Sequence, residues 1–110
     1  MTCILLKGMM ALASRRIYCD KTELVLVVVG KNRVSTVNLR YDEIVSIRFQ
    51  RCKEIRFFWP VSSERIVITT RKSDKPFIYT KYREKKFFNE YKQELAKFAK
   101  ENNVTFYNEL

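Results

Sequence analysis

Hydrophobic residues recur with helical spacing in one long segment of the chain, residues 83–102. At about 100° per residue, its apolar side chains fall within an arc of roughly 120°, the width of a stripe buried against one neighbouring surface. These side chains are Phe87, Phe88, Tyr91, Leu95, Phe98 and Ala99. Neither Gly nor Pro interrupts the segment, and Asn102 and Asn103 tolerate the left-handed conformation that ends helices. The pattern predicts one amphipathic helix, about 30 Å long, packed on the preceding residues.

Before this helix, short apolar runs alternate with polar or turn-forming residues, which is the pattern of β-strands. The predicted strands are 9–13 (with a start as early as Cys3), 16–19, 24–29, 34–39, 44–50, 54–59, 65–70 and 77–80. Residues 51–53 are predicted to connect two strands. Pro60 is predicted to stop a strand because proline cannot donate to a β ladder. Residues 103–110 are predicted to be a loosely docked tail.

Strands at intervals of about ten residues indicate antiparallel hairpins, and a single helix leaves no alternation of strands and helices for a parallel sheet. We therefore expect one domain over residues 1–110, with strands between about 3 and 80. The predicted fold class is α+β, mostly β: an antiparallel barrel or roll of about seven strands capped by one C-terminal amphipathic helix.

The chain carries a net charge of +10, and the charge is unevenly distributed. Residues 71–86 hold seven bases and two acids, and residues 48–56 hold four bases and one acid. Such an excess attracts partners that carry phosphate, either lipid headgroups or nucleic acid. The alternative interpretation is a charged surface that only keeps the protein in solution.

Two stretches resemble bacterial pleckstrin-homology (PH-like) domains. Residues 17–25 are similar to their opening of strand, turn and apolar strand. Residues 37–47 resemble the stretch in which a strand runs through a Tyr-x-x-Ile turn, here Tyr41 to Ile44, into the next strand. The resemblance covers residues 9–102 and implies that Tyr41 and Ile44 pack inward. It also implies two nearly orthogonal sheets closed by the helix, and a binding or assembly module of uncharacterised function.

The basic Lys-x-Arg-type motif that phosphoinositide-binding members share across the first hairpin has no counterpart here. Only Arg15, Arg16 and Lys21 are basic in that region. The resemblance therefore does not extend to headgroup binding by that route.

Catalytic and metal-binding patterns are missing from the sequence. The chain has no His, and Cys3, Cys19 and Cys52 form no C-x-x-C pair, so we expect free thiols and no metal site. Gly8 and Gly30 are the only glycines, which leaves no Gly-rich phosphate loop. The sequence predicts a protein that is not an enzyme and uses no cofactor.

The longest apolar run, residues 24–29, is too short to cross a bilayer, which needs about 20 apolar residues. The N-terminal residues lack the positive region of a secretory signal. We therefore expect a cytoplasmic protein, with peripheral attachment to a membrane as an extension of that expectation.

Two features are candidates for binding. The first is residues 57–61. If alternation places Ile55, Phe57 and Trp59 toward the core, Phe58 and Val61 are left at a loop tip beside basic residues, although plain core packing of a bulky strand is the favoured interpretation of the run. The second is the basic surface, which includes a lysine arc on the helix that faces away from its apolar stripe. The candidate anion- or partner-binding residues are Arg56, Phe58, Trp59, Arg71, Lys72, Lys75, Lys81, Lys85 and Lys92.

Three hypotheses follow. The first is a non-enzymatic module that binds an anionic membrane or a partner protein through its basic, partly aromatic surface. The second is a small nucleic-acid-binding protein with mainly phosphate contacts. The third is a self-assembling structural domain, a homo-oligomer formed through strand edges or the apolar tip.

Overall fold

A computed structural model describes residues 15–30 and 32–110, and the side chain of Arg56 lies outside the described part, as does the strand predicted at residues 9–13. The described residues form β1 (Ile17–Cys19), β2 (Glu23–Val29), β3 (Val34–Arg40), β4 (Ile44–Arg56), β5 (Trp59–Thr70), β6 (Phe77–Thr80), α1 (Phe88–Asn102) and β7 (Phe106–Glu109). A 3-10 turn, Tyr41–Glu43, joins β3 to β4. The expected mostly β fold with seven strands and one helix near the C-terminus is confirmed.

The strands form two sheets, one with the order β1-β2-β3 and one with the order β6-β5-β4-β7. Within the described residues the two sheets do not close into a barrel. The pairings up to β6 are antiparallel, as predicted, but β7 pairs with β4 in parallel, from Ile47 opposite Phe106 to Gln50 opposite Glu109. Such parallel pairing needs a long crossover connection, and α1 lies in the connection that leads to β7.

The structure replaces the predicted loose tail with strand β7. The ring of Phe106 packs edge-on against Phe49, with centroids 4.8 Å apart, and the Arg48 guanidinium lies 4.4 Å from the centre of the Tyr107 ring. A run of four residues is too short to show period-two alternation, so the sequence pattern could not identify it.

Helix α1 begins at Phe88, five residues later than predicted, and residues 81–87 form turns. The reason is Glu84, which was expected in the first helical turn but is buried beneath it. Its carboxylate accepts hydrogen bonds from the Arg16 guanidinium at 2.9 Å and from the Tyr91 hydroxyl at 3.0 Å. The predicted C-terminus is confirmed, because Asn103 ends the helix in the left-handed conformation with φ 55°.

The predicted apolar stripe of α1 is confirmed. Five of its side chains are buried, and Phe87 is partly buried against the same core. The opposing surface consists of side chains from β2 and β3 in one sheet and from β4 and β5 in the other: Leu24, Leu26, Leu39, Ile47, Phe49, Ile66 and Ile68. Each fully buried side chain of this size contributes about 1.5–3 kcal/mol by leaving water.

Two details of residues 41–49 differ from the sequence prediction. The β4–β5 register shifts between Ile44 and Ser46, so Ser46 is buried and Val45 is exposed, although alternation placed Val45 with Ile47 and Phe49. Ile44 is buried, as the PH-like resemblance implied, but Tyr41 is exposed. The bulge is what moves Val45 out of the core.

The predicted break at residues 51–53 is wrong, because these residues lie inside β4 and pair with residues 62–64 of β5. Pro60 does not stop a strand either; it lies in β5 opposite Ile55. In a two-residue hairpin the pair beside the turn exchanges hydrogen bonds and the next pair does not. Pro60 is in that next pair, and β6 pairs only with residues 65–68, so no ladder hydrogen bond is lost.

Candidate functional site

The β4–β5 hairpin ends in three consecutive aromatic residues that are almost fully exposed. Phe57 and Phe58 form the turn and Trp59 begins β5; their exposed fractions are 87%, 98% and 72%. We call these three residues the aromatic tip. Ile55, which precedes the tip on β4, is 79% exposed. The favoured interpretation that this run packs in the core is therefore wrong, as is the placement of Ile55, Phe57 and Trp59 toward the core. Phe58 and Val61 are exposed, as in the alternative interpretation.

The alternation rule failed here because the hairpin extends past the end of the core. The last buried pair of β4 and β5 is Phe49 and Ile66, and β4 continues seven residues beyond Phe49. Period-two alternation assigns side chains to faces, but it does not show whether anything lies opposite a face. The side of β4 that carries Ile47 and Phe49 is buried near its start and exposed at its end.

The turn of the aromatic tip has an unusual backbone. Phe57 has φ 51° and Phe58 has φ 70°, so both central residues are in the left-handed region, as in a type I′ turn. Asn-Gly or Asp-Gly is favoured there, because side chains with a bulky Cβ substituent cost about 1–2 kcal/mol per residue in this conformation. The two phenylalanines add strain and are not compensated by burial. Strained, exposed residues of this kind are typical of binding sites.

Basic residues cluster on the side of the hairpin that faces α1. Arg51 of β4 is opposite Glu64 of β5, and the backbone N–H of Lys81, just after β6, donates to the Glu64 carbonyl at 2.9 Å. Arg51, Glu64 and Lys81 therefore form a row across three neighbouring segments. Lys92 of α1 donates from Nζ to Glu64 Oε1 at 2.8 Å. Lys53 lies on the same face, two residues closer to the tip and opposite Ser62.

We call Arg51, Lys53, Lys81 and Lys92 the cationic cluster. A cavity of about 500 Å³ opens over it, lined by Arg51, Lys53, Lys81, Ser62, Ser63, Glu64, Cys52 and Leu110. The hydrogen bond from Lys92 holds the pKa of Glu64 below its ordinary value, and the charges of Lys81 and Arg51 act in the same direction. Glu64 is therefore an anion surrounded by cations.

The predicted basic residues do not form one surface. Lys81 and Lys92 belong to the cationic cluster, although Lys92 is paired with Glu64 and partly buried, not on a solvated arc as predicted. Lys72 lies elsewhere: its Nζ donates to the Asn38 carbonyl at 3.1 Å and is 3.4 Å from the Glu43 carboxylate. Lys72 therefore covers part of the edge of β3, away from the cationic cluster, with its side chain 49% exposed.

Three other candidates are exposed. Arg71 and Lys75 lie in the loop between β5 and β6, and Lys85 lies in the turns before α1, with Nζ 5.6 Å from the Tyr82 ring. Of Arg56 only the backbone is described; it pairs with Trp59 beside the aromatic tip.

Sequence reasoning included Arg51 and Lys53 in the basic stretch at residues 48–56 but did not name them as site residues. Both were predicted in a connection, because no apolar residue on their face marked the strand as continuous. A signal was nevertheless present. Continuing the odd-numbered face of Ile47 and Phe49 through residues 51, 53 and 55 places both bases on one side of a single long strand.

A larger cavity of about 810 Å³ lies between β2 and β6. Its apolar walls come from residues 27–29 and 76–79, and its charged residues include Arg16 and Glu84, which pair with each other. Tyr79 reaches from β6 to donate its hydroxyl hydrogen to the Val27 carbonyl at 3.2 Å. Tyr79 thus links the two sheets beside the cavity. Arg16 and Glu84 compensate each other, whereas Glu54, which also lines the cavity, has a buried carboxylate oxygen, Oε2, without a hydrogen-bond partner among the described residues.

No group of three or more metal-ligating side chains occurs among the described residues. Cys19 and Cys52 are free thiols, and burial raises the pKa of Cys19 to about 12. Such a thiol is protonated and unreactive near neutral pH. Cys3 lies outside the described residues.

In the part of the chain that the structure describes, no helix has both the length and the apolarity required to span a bilayer. Comparison with models of protein families, with curated proteins and with solved structures found no match to this chain.

Proposed function

We propose that this protein is a non-enzymatic binding module that attaches peripherally to anionic membranes by inserting its aromatic tip. The observation that carries the proposal is the exposure of three consecutive aromatic side chains, between 72% and 98%, at the end of a projecting hairpin.

Aromatic side chains prefer the membrane interface, where a ring enters the acyl region and a polar edge stays hydrated. Phe57 and Phe58 would each contribute about 1.5–3 kcal/mol on leaving water. Each Lys or Arg near an anionic surface adds about 1 kcal/mol. Lys53 and Arg51 lie behind the tip on β4, so the hairpin combines an apolar end with basic flanks. The sum of these contributions, from two rings and two basic residues, predicts reversible attachment to the membrane.

Two observations favour a membrane over a protein partner. The tip is small: three aromatic side chains offer at most about 450–750 Å², less than the about 800 Å² per partner of a stable protein interface. The net charge of +10 also complements an anionic surface. A lipid surface needs no shape complementarity, so a narrow tip is sufficient.

The proposal includes a PH-like fold. Two β-sheets covered by one C-terminal amphipathic helix support that assignment, and the parallel strand β7 is a departure from it. On this basis we place the protein in the cytoplasm, at the inner face of a membrane.

Binding to nucleic acid is less favoured because the basic residues at positions 48–56 are not all free to contact phosphate. Arg48 stacks on Tyr107 and lies 3.8 Å from the Glu109 carboxylate, so it is already compensated. Homo-oligomerisation through the tip is the remaining alternative. Both become outcomes of the experiment below.

The test is co-sedimentation with vesicles of phosphatidylcholine alone and of phosphatidylcholine mixed with phosphatidylglycerol. We expect wild-type protein to bind the anionic vesicles and F57A/F58A to bind them at least tenfold more weakly, because about 3 kcal/mol or more of burial is lost. The control is I78A, which removes an exposed apolar side chain of β6, remote in sequence from the tip.

Equal vesicle binding by F57A/F58A and wild type would refute insertion by the tip. Binding to duplex or single-stranded nucleic acid without binding to vesicles would favour the second hypothesis. Sedimentation of a dimer that F57A/F58A dissociates would favour the third.

A further inference from the structure

The cationic cluster combines an excess of positive charge with a concave surface. Lys92, Lys81 and Arg51 act on one carboxylate, Glu64, and Lys53 lines the same cavity, so the charges of these five side chains sum to +3. Like charges held this close repel each other, and a second anion beside Glu64 would relieve the repulsion.

Three of the four cations have free side chains. Lys92 is held by Glu64, but Arg51, Lys53 and Lys81 have no ion pair and no side-chain hydrogen bond among residues 15–30 and 32–110. The strand register fixes their backbones on one face, around the cavity of about 500 Å³. The Ser62 hydroxyl, opposite Lys53, adds a neutral hydrogen-bond donor.

We propose that this cavity is a binding subsite for a phosphate monoester in its dianionic form. A monoester carries about −1.5 to −2 charges at neutral pH and three acceptor oxygens. The guanidinium of Arg51 can bind two of those oxygens at once, while Lys53 and Lys81 act as point charges. A dianion balances most of the local excess, whereas a phosphodiester carries one charge and two free oxygens and fits the cluster less well.

The phosphate could come from a soluble monoester or from a lipid headgroup. Along an extended strand, at about 3.3 Å per residue, Lys53 lies about 13 Å and Arg51 about 20 Å behind Phe57. With the tip about 5–10 Å inside the membrane boundary, Lys53 reaches the headgroups, and the long side chain of Arg51, two residues farther along β4, can extend back toward them. The lipid source rests on the proposed membrane attachment; the soluble source does not.

The first arm of the test titrates the protein with inorganic phosphate at constant ionic strength and follows backbone amide resonances. We expect saturable shifts at residues 51–53, 62–64 and 81. The R51Q/K81Q variant should bind at least tenfold more weakly, and E64Q, which raises the local charge, should bind more tightly. The charge-matched control K21Q/R33Q changes two exposed bases outside the cavity and should behave as wild type.

The pH dependence of phosphate binding distinguishes a site for the dianion from general electrostatic attraction to the positive charge. Inorganic phosphate gains its second charge near about pH 6–7, as monoesters do near about pH 6. The chain has no histidine, so a rise in affinity between about pH 5.5 and 7.5 belongs to the ligand. Affinity that does not change over this range, or equal affinities for R51Q/K81Q and K21Q/R33Q, would overturn the proposal.

The second arm identifies the source. Vesicles with phosphatidate, a monoester, are compared with vesicles of phosphatidylglycerol, a diester, at equal measured surface potential. A preference for phosphatidate that R51Q/K81Q abolishes assigns the site to a lipid. Phosphate binding without that preference assigns it to a soluble monoester. F57A/F58A should leave the phosphate titration unchanged, so failure of the subsite and failure of membrane insertion are distinguishable.

Discussion

At the scale of single residues, the most informative positions are Phe57 and Phe58. Their backbone conformation favours residues without a bulky side chain, yet both carry an aromatic ring. The positive φ angles of 51° and 70° call for Asn and Gly, and both side chains are exposed. Among the described residues, no stabilising contact explains two phenylalanines there. The proposed membrane attachment would cover both rings.

The F57N/F58G substitution tests this conflict. It should increase the free energy of unfolding by about 1–2 kcal/mol, because Asn and Gly adopt a type I′ turn with little strain. The same variant should lose vesicle binding. Urea denaturation measures the first effect and co-sedimentation the second. The F57A/F58A variant is the control, since it removes the rings but keeps a Cβ at both positions.

A destabilised F57N/F58G variant would contradict this view of the turn. It would mean that the phenylalanine rings contribute to the fold, and that their exposure is not available for a partner.

Glu84 is the second residue whose environment fixes its role. Its side chain is buried, accepts from Arg16 and Tyr91, and holds the start of α1 against the segment before β1. E84Q should lower the free energy of unfolding by about 1.5–3 kcal/mol, because a charge-assisted hydrogen bond in a buried site becomes a neutral one.

Thermal or urea unfolding measures the effect of E84Q. E90Q is the matched control: Glu90 pairs with Arg15 at the surface, and such exposed pairs contribute about 0–1 kcal/mol. Equal stabilities of the two variants would show that Glu84 is not a structural anion.

At the scale of elements, α1 is linked to β5 by the Lys92–Glu64 pair. The lowered pKa of Glu64 means that its carboxylate stabilises the folded state above its unfolded pKa of about 4.3, and that this contribution disappears as the pH falls through the lower folded value. E64Q should therefore be less stable than wild type near neutral pH, by about 0.5–1 kcal/mol for this partly exposed pair.

The difference between E64Q and wild type should shrink as the pH is lowered from about 5 to about 3. Urea midpoints at a series of pH values measure it. A difference that stays constant over this range would show that the carboxylate charge is not the source of the contribution.

Strand β7 is the element with the least support from the sequence pattern, and F106A tests it. Phe106 is partly buried against Phe49, so its truncation should cost about 1–3 kcal/mol. Y107F keeps the ring beneath Arg48 and should change the stability little. If F106A has the stability of wild type, β7 does not contribute to the fold.

Elements with a repeating pattern could be predicted and those defined by tertiary contacts could not. The stripe of α1 was predicted correctly because it is a local periodicity, and strand β6 because the charged loop at residues 71–75 and the following helix bounded it. The start of α1 was not, since Glu84 bonds Arg16, which is remote in sequence. The continuity of β4 through Arg51 was missed because nothing packs over that part of the strand to make its alternation visible.

The residues of the candidate site divide in the same way, into those that a local pattern predicted and those that depend on tertiary contacts. The sequence predicted an apolar tip with Phe58 exposed, and it placed Lys81 among the binding residues. It could not predict that Ile55, Phe57 and Trp59 are exposed, since that depends on where the core ends. It also could not separate the free Lys81 from Lys72, whose partners lie on β3 and in the following turn.

At the scale of the whole molecule, charge and apolar exposure combine on one hairpin. The aromatic tip is the end of β4 and β5, and two members of the cationic cluster, Arg51 and Lys53, lie on β4 farther from the tip. The other two, Lys81 and Lys92, join them from the segment after β6 and from α1. A surface that attracts anions at long range and inserts rings at short range is the arrangement expected of a reversible membrane-binding module.

The chain contains one tryptophan, Trp59, so its fluorescence reports on the aromatic tip alone. The most direct measurement is the Trp59 emission spectrum with anionic vesicles, repeated with lipids brominated at different acyl positions. Membrane insertion predicts a blue shift on addition of vesicles, and strongest quenching by bromines near the headgroup end of the chains. An emission spectrum that anionic vesicles leave unchanged, with no quenching by brominated lipid, would contradict it.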